Sequence, residues 1–251
     1  MHSIINPLGG TIVPIMGMIR RSTLLQRIKW RGLPQDQYIR EVTQKNQIYL
    51  HHTAGGPDPF SVVDWWDSTD ERVATHFIIG GKQRNNNSIW EDGDLVQCYN
   101  TKYWAYHLGL KSQHLAVTPL HKSSKELNSR AITIEICNWG PVSFNDTSHQ
   151  FETIQHNYPV SPTEVVEYGN KYRGYRYYQR YTDAQLETLT ELLRYLCDHW
   201  DIPKQYMGDS IFDIDVRALQ GNSGIFTHTS VRPDKSDCHP QKELIQVLQS
   251  L

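Results

Sequence analysis

The stretch GIFTHTSVRPDKSDCHP, residues 224–240, gathers His228, Lys235, Asp237, Cys238 and His239 in a chain with only 12 histidines and 4 cysteines. Imidazole, carboxylate and thiolate are the side chains that bind zinc, and a catalytic zinc takes three of them and leaves a fourth position for water. Coordination lowers the pKa of that water from 15.7 to about 7, which makes hydroxide available near neutral pH. His228, at the end of an expected strand, and Asp237 or Cys238 in the following loop supply two ligands. The third must come from a neighbouring strand end, and YLHHT offers His51 and His52. Strand alternation separates them: His52 shares a face with Ile48 and Leu50, His51 with Tyr49. With the aliphatic face packed under helices, His51 is the one that looks into a cleft.

The same alternation isolates Glu135 in AITIEICNW, where Ile132, Ile134 and Ile136 take one face and Thr133, Glu135 and Cys137 the other. A carboxylate on so apolar a strand is costly unless it is paired or functional. Beside a zinc-bound water it would serve as general base. Lys235, two residues before Asp237, would place an ammonium near a developing oxyanion. Metal, base and oxyanion stabiliser together make a hydrolase for an amide carbonyl. Plainer readings stand beside this one: a structural histidine at a strand end, a solvated Lys-Ser-Asp turn, and Glu135 paired with Arg130. The aromatic residues Trp65, Trp66 and Tyr103–His107 read as packing rather than as a substrate platform.

These residues need a frame. Alternating β-branched and aromatic runs predict strands at QIYLHHTAGG, ATHFIIGG, AITIEICNW and GIFTHTSV. SIWEDGDLVQCY reads as two short strands joined at Asp92-Gly93, a tight-hairpin signature. FSVVDWWDST predicts a short helix. YTDAQLETLTELLRYLCDHW predicts a long one, with Thr182 and Gln185 as a capping box and Leu186, Leu189, Leu193, Leu196 and Trp200 as its apolar stripe. A short amphipathic helix follows Pro240. Residues 142–180, polar and rich in Tyr and Pro, read as a long surface excursion. Strands alternating with helices imply one α/β domain, a central mixed β-sheet flanked by helices, over residues 45–251. Residues 1–44 form a lead-in without clear periodicity.

The 251 residues are 38% hydrophobic and 21% charged, with a net charge of −2, which argues against nucleic acid or an anionic membrane as partner. No apolar run approaches the ~18 residues of a membrane span. The four cysteines, Cys98, Cys137, Cys197 and Cys238, are far apart and form no disulfide-dense framework. The N-terminal residues lack a basic region before their broken apolar stretch and make a poor signal peptide.

IYLHHTAGG, THFIIGG, EDGDLVQCYNTKYWAYHLG, NSRAITIEICN, YTDAQLETLTELLRYL and THTSVRPDKSDCHP occur in an order and spacing that resemble the type-2 zinc-dependent N-acetylmuramoyl-L-alanine amidases. That family includes phage lysozyme-like amidases and is related to the peptidoglycan recognition proteins. The resemblance covers roughly residues 45–251. It implies one zinc per chain in a surface groove and hydrolysis of the amide between N-acetylmuramic acid and the L-alanine of the stem peptide. It further implies His51 and His228 as ligands, and Asp237, in preference to Cys238, as the third, because the family places it two residues after the catalytic Lys, here Lys235. Some members carry a catalytic Tyr where this chain has Thr75; the branch without it uses a Glu at the position of Glu135. His107 and Thr75 are carried as substrate contacts. Peptidoglycan or muropeptide is the implied substrate, with action at the cell wall as an endolysin or autolysin, by phage-type release in the absence of a clear signal peptide. The alternatives are a non-catalytic peptidoglycan-binding module and a cytosolic muropeptide-recycling amidase. No feature of the sequence sets the oligomeric state.

Overall fold

The computed structural model describes residue 24, residues 26–84 and residues 88–251. Most of the lead-in, including the apolar N-terminal stretch weighed as a signal peptide, lies outside the described residues. The strands are β1 (Lys29–Trp30), β2 (Gln47–His52), β3 (Phe77–Ile79), β4 (Leu95–Gln97), β5 (Ala131–Ile136), β6 (Pro141–Asn145), β7 (Gln150–Thr153), β8 (Pro159–Val160), β9 (Val165–Tyr172), β10 (Tyr175–Gln179) and β11 (Gly224–Thr227). The longer helices are α1 (Pro59–Asp67), α2 (Asp183–Trp200) and α3 (Lys242–Gln249).

Six strands form a mixed sheet in the order β1-β4-β3-β5-β2-β11. β3, β5, β2 and β11 run parallel, and β4 is antiparallel to β3. Ile48, Leu50, Ile132, Ile134 and Ile136 pack with α2 in the main core, so the aliphatic face does lie under a helix. Leu186, Leu189, Leu192, Leu193 and Leu196 of α2 are all buried there, each worth about 1.5–3 kcal/mol of transfer free energy. The expected capping box forms: Thr182 Oγ1 accepts from the Gln185 N–H, and Gln185 Oε1 from the Thr182 N–H, both at 3.1 Å. On the opposite face α1 buries Val63 and Trp66 in a second cluster with Ile78, Val96 and Cys137. Trp65 stays exposed. All four cysteines are free and buried. No helix among the described residues is long and apolar enough to cross a membrane.

Two expectations need correction. The Asp92-Gly93 turn exists, with Gly93 at φ +81°, but Ser88–Trp90 is not a strand. Both edges of β4 are already taken, by β3 and β1, which leaves a further strand nothing to pair with. Residues 142–180 are not an irregular excursion: β6–β10 make a five-stranded antiparallel sheet in the order β8-β7-β6-β10-β9. Its strands bury few positions, which erases the alternation that reveals a half-buried strand. Cross-strand aromatic contacts hold it instead, Phe144–Phe151 at 5.1 Å and Phe151–Tyr177 at 5.0 Å.

Candidate metal centre

The parallel register sets the site. His51 of β2 lies opposite Glu135 of β5. Leu50 lies opposite Thr227, so His228, one residue past the end of β11, continues to the level of His51. Glu135, His51 and His228 therefore stand in a row at the carboxyl ends of three adjacent parallel strands, the usual place for a site in such sheets. All three are buried, and the loop after His228 brings Asp237 back to them.

His51 Nδ1 is 3.1 Å from His228 Nδ1 and 3.2 Å from Asp237 Oδ2; His228 Nδ1 is 3.0 Å from Asp237 Oδ2. The outer nitrogens are held from behind. His228 Nε2 donates to the Leu108 carbonyl at 3.1 Å, so that in the uncharged tautomer with this proton Nδ1 is the lone pair turned to the cluster. His51 Nε2 meets His107 Nδ1 at 3.1 Å; with that nitrogen accepting, His51 Nδ1 is bare as well. Burial, reinforced by the neighbouring His228, pulls His51 down to about 4, so it is neutral at physiological pH. Burial would raise Asp237, but the two histidines beside it outweigh this and hold its carboxyl well below the usual range. In those tautomers three lone pairs face one another within 3.2 Å, an arrangement that a cation among them would satisfy.

Glu135 is driven the other way. Burial lifts its carboxyl well above the usual range, the charge of Asp237 adds to the rise, and Lys235 opposes it. No ion pair with Arg130 forms, so the structural alternative for this carboxylate lacks its partner among the described residues. Lys235 is half-buried and lines a cleft of about 490 Å³ with Trp139, Tyr175 and Ser236.

The remaining candidates separate clearly. Cys238 is fully buried, outside the cluster of His51, His228 and Asp237. His52 turns to the aliphatic side, 2.9 Å from the Tyr181 hydroxyl. There its ring fills the space that a Cβ on Gly140 would need, at 2.6 Å from Nε2. Thr75, carried as a substrate contact, is 2% exposed and donates its hydroxyl to the Phe77 carbonyl at 3.0 Å. It has no surface to offer a ligand. His107 is buried behind His51 and faces the ligand cluster through it. Its Nε2 is buried without a partner among the described residues. Sequence reasoning gave His239 no role. Fully buried, it stacks on Tyr181 at 4.5 Å, and nothing in its local sequence distinguishes it from a ligand.

A family model described as N-acetylmuramoyl-L-alanine amidase matches residues 42–240. No curated protein matches the chain. Among solved structures, PlyL is similar at 14% identity, over 88% of this chain and 96% of that one, with a TM-score of 0.47. The PlyG catalytic domain is similar at 14% identity over 88% and 92%, with a TM-score of 0.48. AmiD from E. coli, solved with anhydro-N-acetylmuramic acid-L-Ala-D-gamma-Glu-L-Lys, is similar at 16% identity over 87% and 62%, with a TM-score of 0.44. The family model spans most of the chain, from just before β2 to just past Asp237, and on that match the chain belongs to the N-acetylmuramoyl-L-alanine amidase family.

Proposed function

We propose that this amidase is zinc-dependent, that His51, His228 and Asp237 hold the metal, and that it cleaves the bond between N-acetylmuramic acid and the L-alanine that begins the stem peptide. The observation that carries the reading is the triangle of His51 Nδ1, His228 Nδ1 and Asp237 Oδ2, with edges of 3.0–3.2 Å. Tetrahedral ligands about 2.0 Å from a zinc ion stand about 3.3 Å apart, so the donors need move only a few tenths of an ångström. Two neutral imidazoles and one carboxylate are a donor set that suits zinc, and each imidazole has its outer nitrogen engaged, as metal-bound histidines do.

Zinc bound there would supply Lewis acidity and a water with a pKa near 7. Glu135, level with His51 on the next strand, takes the proton from the attacking water. It returns that proton to the amide nitrogen as the C–N bond breaks; L-alanine leaves with a free amino group, which takes up the second proton, shed by the new lactyl carboxylic acid as it becomes a carboxylate. A carboxyl whose affinity for protons is raised by burial is suited to hold one between these two events. Lys235 stabilises the negative charge that develops on the carbonyl oxygen. The cleft beside it, about 490 Å³, is within the size range of ligand pockets and would take the substrate next to the scissile bond.

The test is to incubate the zinc-loaded protein with intact sacculi and with soluble muropeptides, and to follow the appearance of new L-alanine amino termini by mass spectrometry. Cleavage of sacculi is expected and would support action at the wall. Cleavage of soluble fragments alone would indicate a recycling amidase. Binding without cleavage would overturn the proposal in favour of a peptidoglycan-binding module.

A further inference from the structure

Residues 232–240 carry Lys235 and Asp237, yet they belong to no helix or strand. The Thr229 N–H donates to the Asp237 carbonyl at 3.1 Å and Arg232 reaches the Leu108 carbonyl; a further set of contacts to this segment comes from the five-stranded sheet. The Tyr168 hydroxyl lies 2.7 Å from His239 Nδ1, and His239 Nε2 is 3.0 Å from the Gln179 carbonyl. A carbonyl only accepts, so Nε2 carries the proton and Nδ1 accepts from Tyr168. Tyr178 and Tyr181 flank the same imidazole at 4.7 and 4.5 Å.

Four residues along β9, the Tyr172 hydroxyl lies 2.9 Å from the Phe212 carbonyl and 3.3 Å from both Thr229 Oγ1 and the Cys238 carbonyl. Thr229 and Cys238 directly follow His228 and Asp237, so one phenol bridges the backbone neighbours of two of the proposed ligands. Arg173 completes the set, with Nη1 donating to the Pro233 carbonyl at 3.2 Å, two residues before Lys235.

We infer that the five-stranded sheet braces the loop of the metal centre, with Tyr168 and Tyr172 as positioning residues that hold Asp237 and Lys235 against His51 and Glu135. The inference rests on the proposed ligand set. Residues 142–180 thereby acquire a purpose, which is to set the geometry of a site whose reacting groups all lie outside them.

The test uses the full chain with Tyr168→Phe, Tyr172→Phe and the double variant, which keep the rings and remove the hydroxyls. Phe144→Ala, at an exposed aromatic contact of the same sheet remote from the loop contacts, controls for loss of sheet stability. Zinc affinity is read by competition with a chromogenic chelator, kcat and KM are read separately, and melting is followed on the metal-free protein. Outer contacts of a metal site commonly contribute 10–100-fold to affinity, and the double variant is expected to bind zinc about 10-fold more weakly. Its kcat should fall with KM unchanged, while Phe144→Ala keeps the wild-type zinc affinity. Tyrosine variants that melt lower yet bind zinc as tightly as the wild type would overturn the brace. Asp237→Asn in the same titration keeps the two failures apart. If it retains zinc, the ligand set itself is wrong; if it loses zinc while the tyrosine variants keep it, the brace alone fails.

Discussion

Replacing Asp237 with Asn keeps the shape of the side chain and removes the one anionic donor of the cluster. The carboxylate oxygen sits 3.0 Å from His228 Nδ1 and 3.2 Å from His51 Nδ1, so its loss should be felt as a missing metal bond. Four-ligand zinc sites have apparent binding free energies of about 10–16 kcal/mol, or about 2.5–4 kcal/mol per ligand. At 1.36 kcal/mol per decade this is about a 100- to 1,000-fold weaker Kd. At a zinc concentration 1,000 times the wild-type Kd, the metal stabilises the wild type by about 4.1 kcal/mol. The variant at that concentration gains only about 0.4–1.4 kcal/mol. In a chain of this size about 2–4 °C of melting temperature corresponds to each kcal/mol. Zinc should therefore raise the wild-type Tm by about 8–16 °C and that of Asp237→Asn by about 1–6 °C. The comparison is made within each variant, with and without zinc, because Asp237 also contacts both histidines in the metal-free protein. Elemental analysis after desalting gives the stoichiometry. Cys238→Ser is the contrast: its thiol is fully buried outside the donor cluster, and its zinc content should match the wild type. Stoichiometric zinc at wild-type affinity in Asp237→Asn, or zinc lost only with Cys238, would refute this assignment.

Glu135→Gln should lower kcat by about 10²–10⁴ while one zinc per chain remains, read by turnover and elemental analysis; loss of metal would reassign Glu135 to holding the site together. Lys235→Met should lower kcat by about 10²–10³ with KM for a soluble muropeptide little changed, and an effect on KM alone would make Lys235 a binding group. Lys45 predicts a pH effect on stability. It is 1% exposed, with its ammonium 2.8 Å from the Tyr103 carbonyl and 2.7 Å from the Ser129 carbonyl, and burial lowers its pKa from 10.5 to about 7. Between those values the unfolded chain holds the proton more tightly than the folded one, so stability rises with pH through this window and falls as pH drops toward 7. The span is at most about 5 kcal/mol, reduced by the two carbonyls that favour the ammonium. Denaturant midpoints of the wild type should increase from pH 7 to pH 10, and Lys45→Met should flatten that slope; an equally steep slope in the variant would show that other groups produce it.

The candidate site was legible because parallel strands translate spacing into position. Alternation in QIYLHH and AITIEI puts His51 and Glu135 on the face opposite the isoleucines, and the register places them side by side. His228 follows from the end of β11, and α2 from its capping box and leucine stripe. Each of these depends on local periodicity or on a short-range backbone constraint, which is why residues alone suffice.

What stayed hidden depends on packing. The sheet of β6–β10 buries too few side chains to leave a period-two pattern, and its strands are specified by antiparallel pairing and by aromatic contacts between residues distant in sequence. Thr75 and His107 were placed by motif near a cleft, but burial turns the first to the Phe77 carbonyl and sets the second behind His51. Asp237, Cys238 and His239 are consecutive ligand-type residues whose order alone does not divide their roles. Only the tertiary structure does so: Asp237 meets two imidazoles, Cys238 enters the core, and His239 is held by Tyr168 and the Gln179 carbonyl. Residue types and strand period determined which chemistry the chain can carry. The fate of each side chain in the loop after β11 was decided by the surfaces that fold against it, because a segment without regular backbone pairing takes its direction from its neighbours.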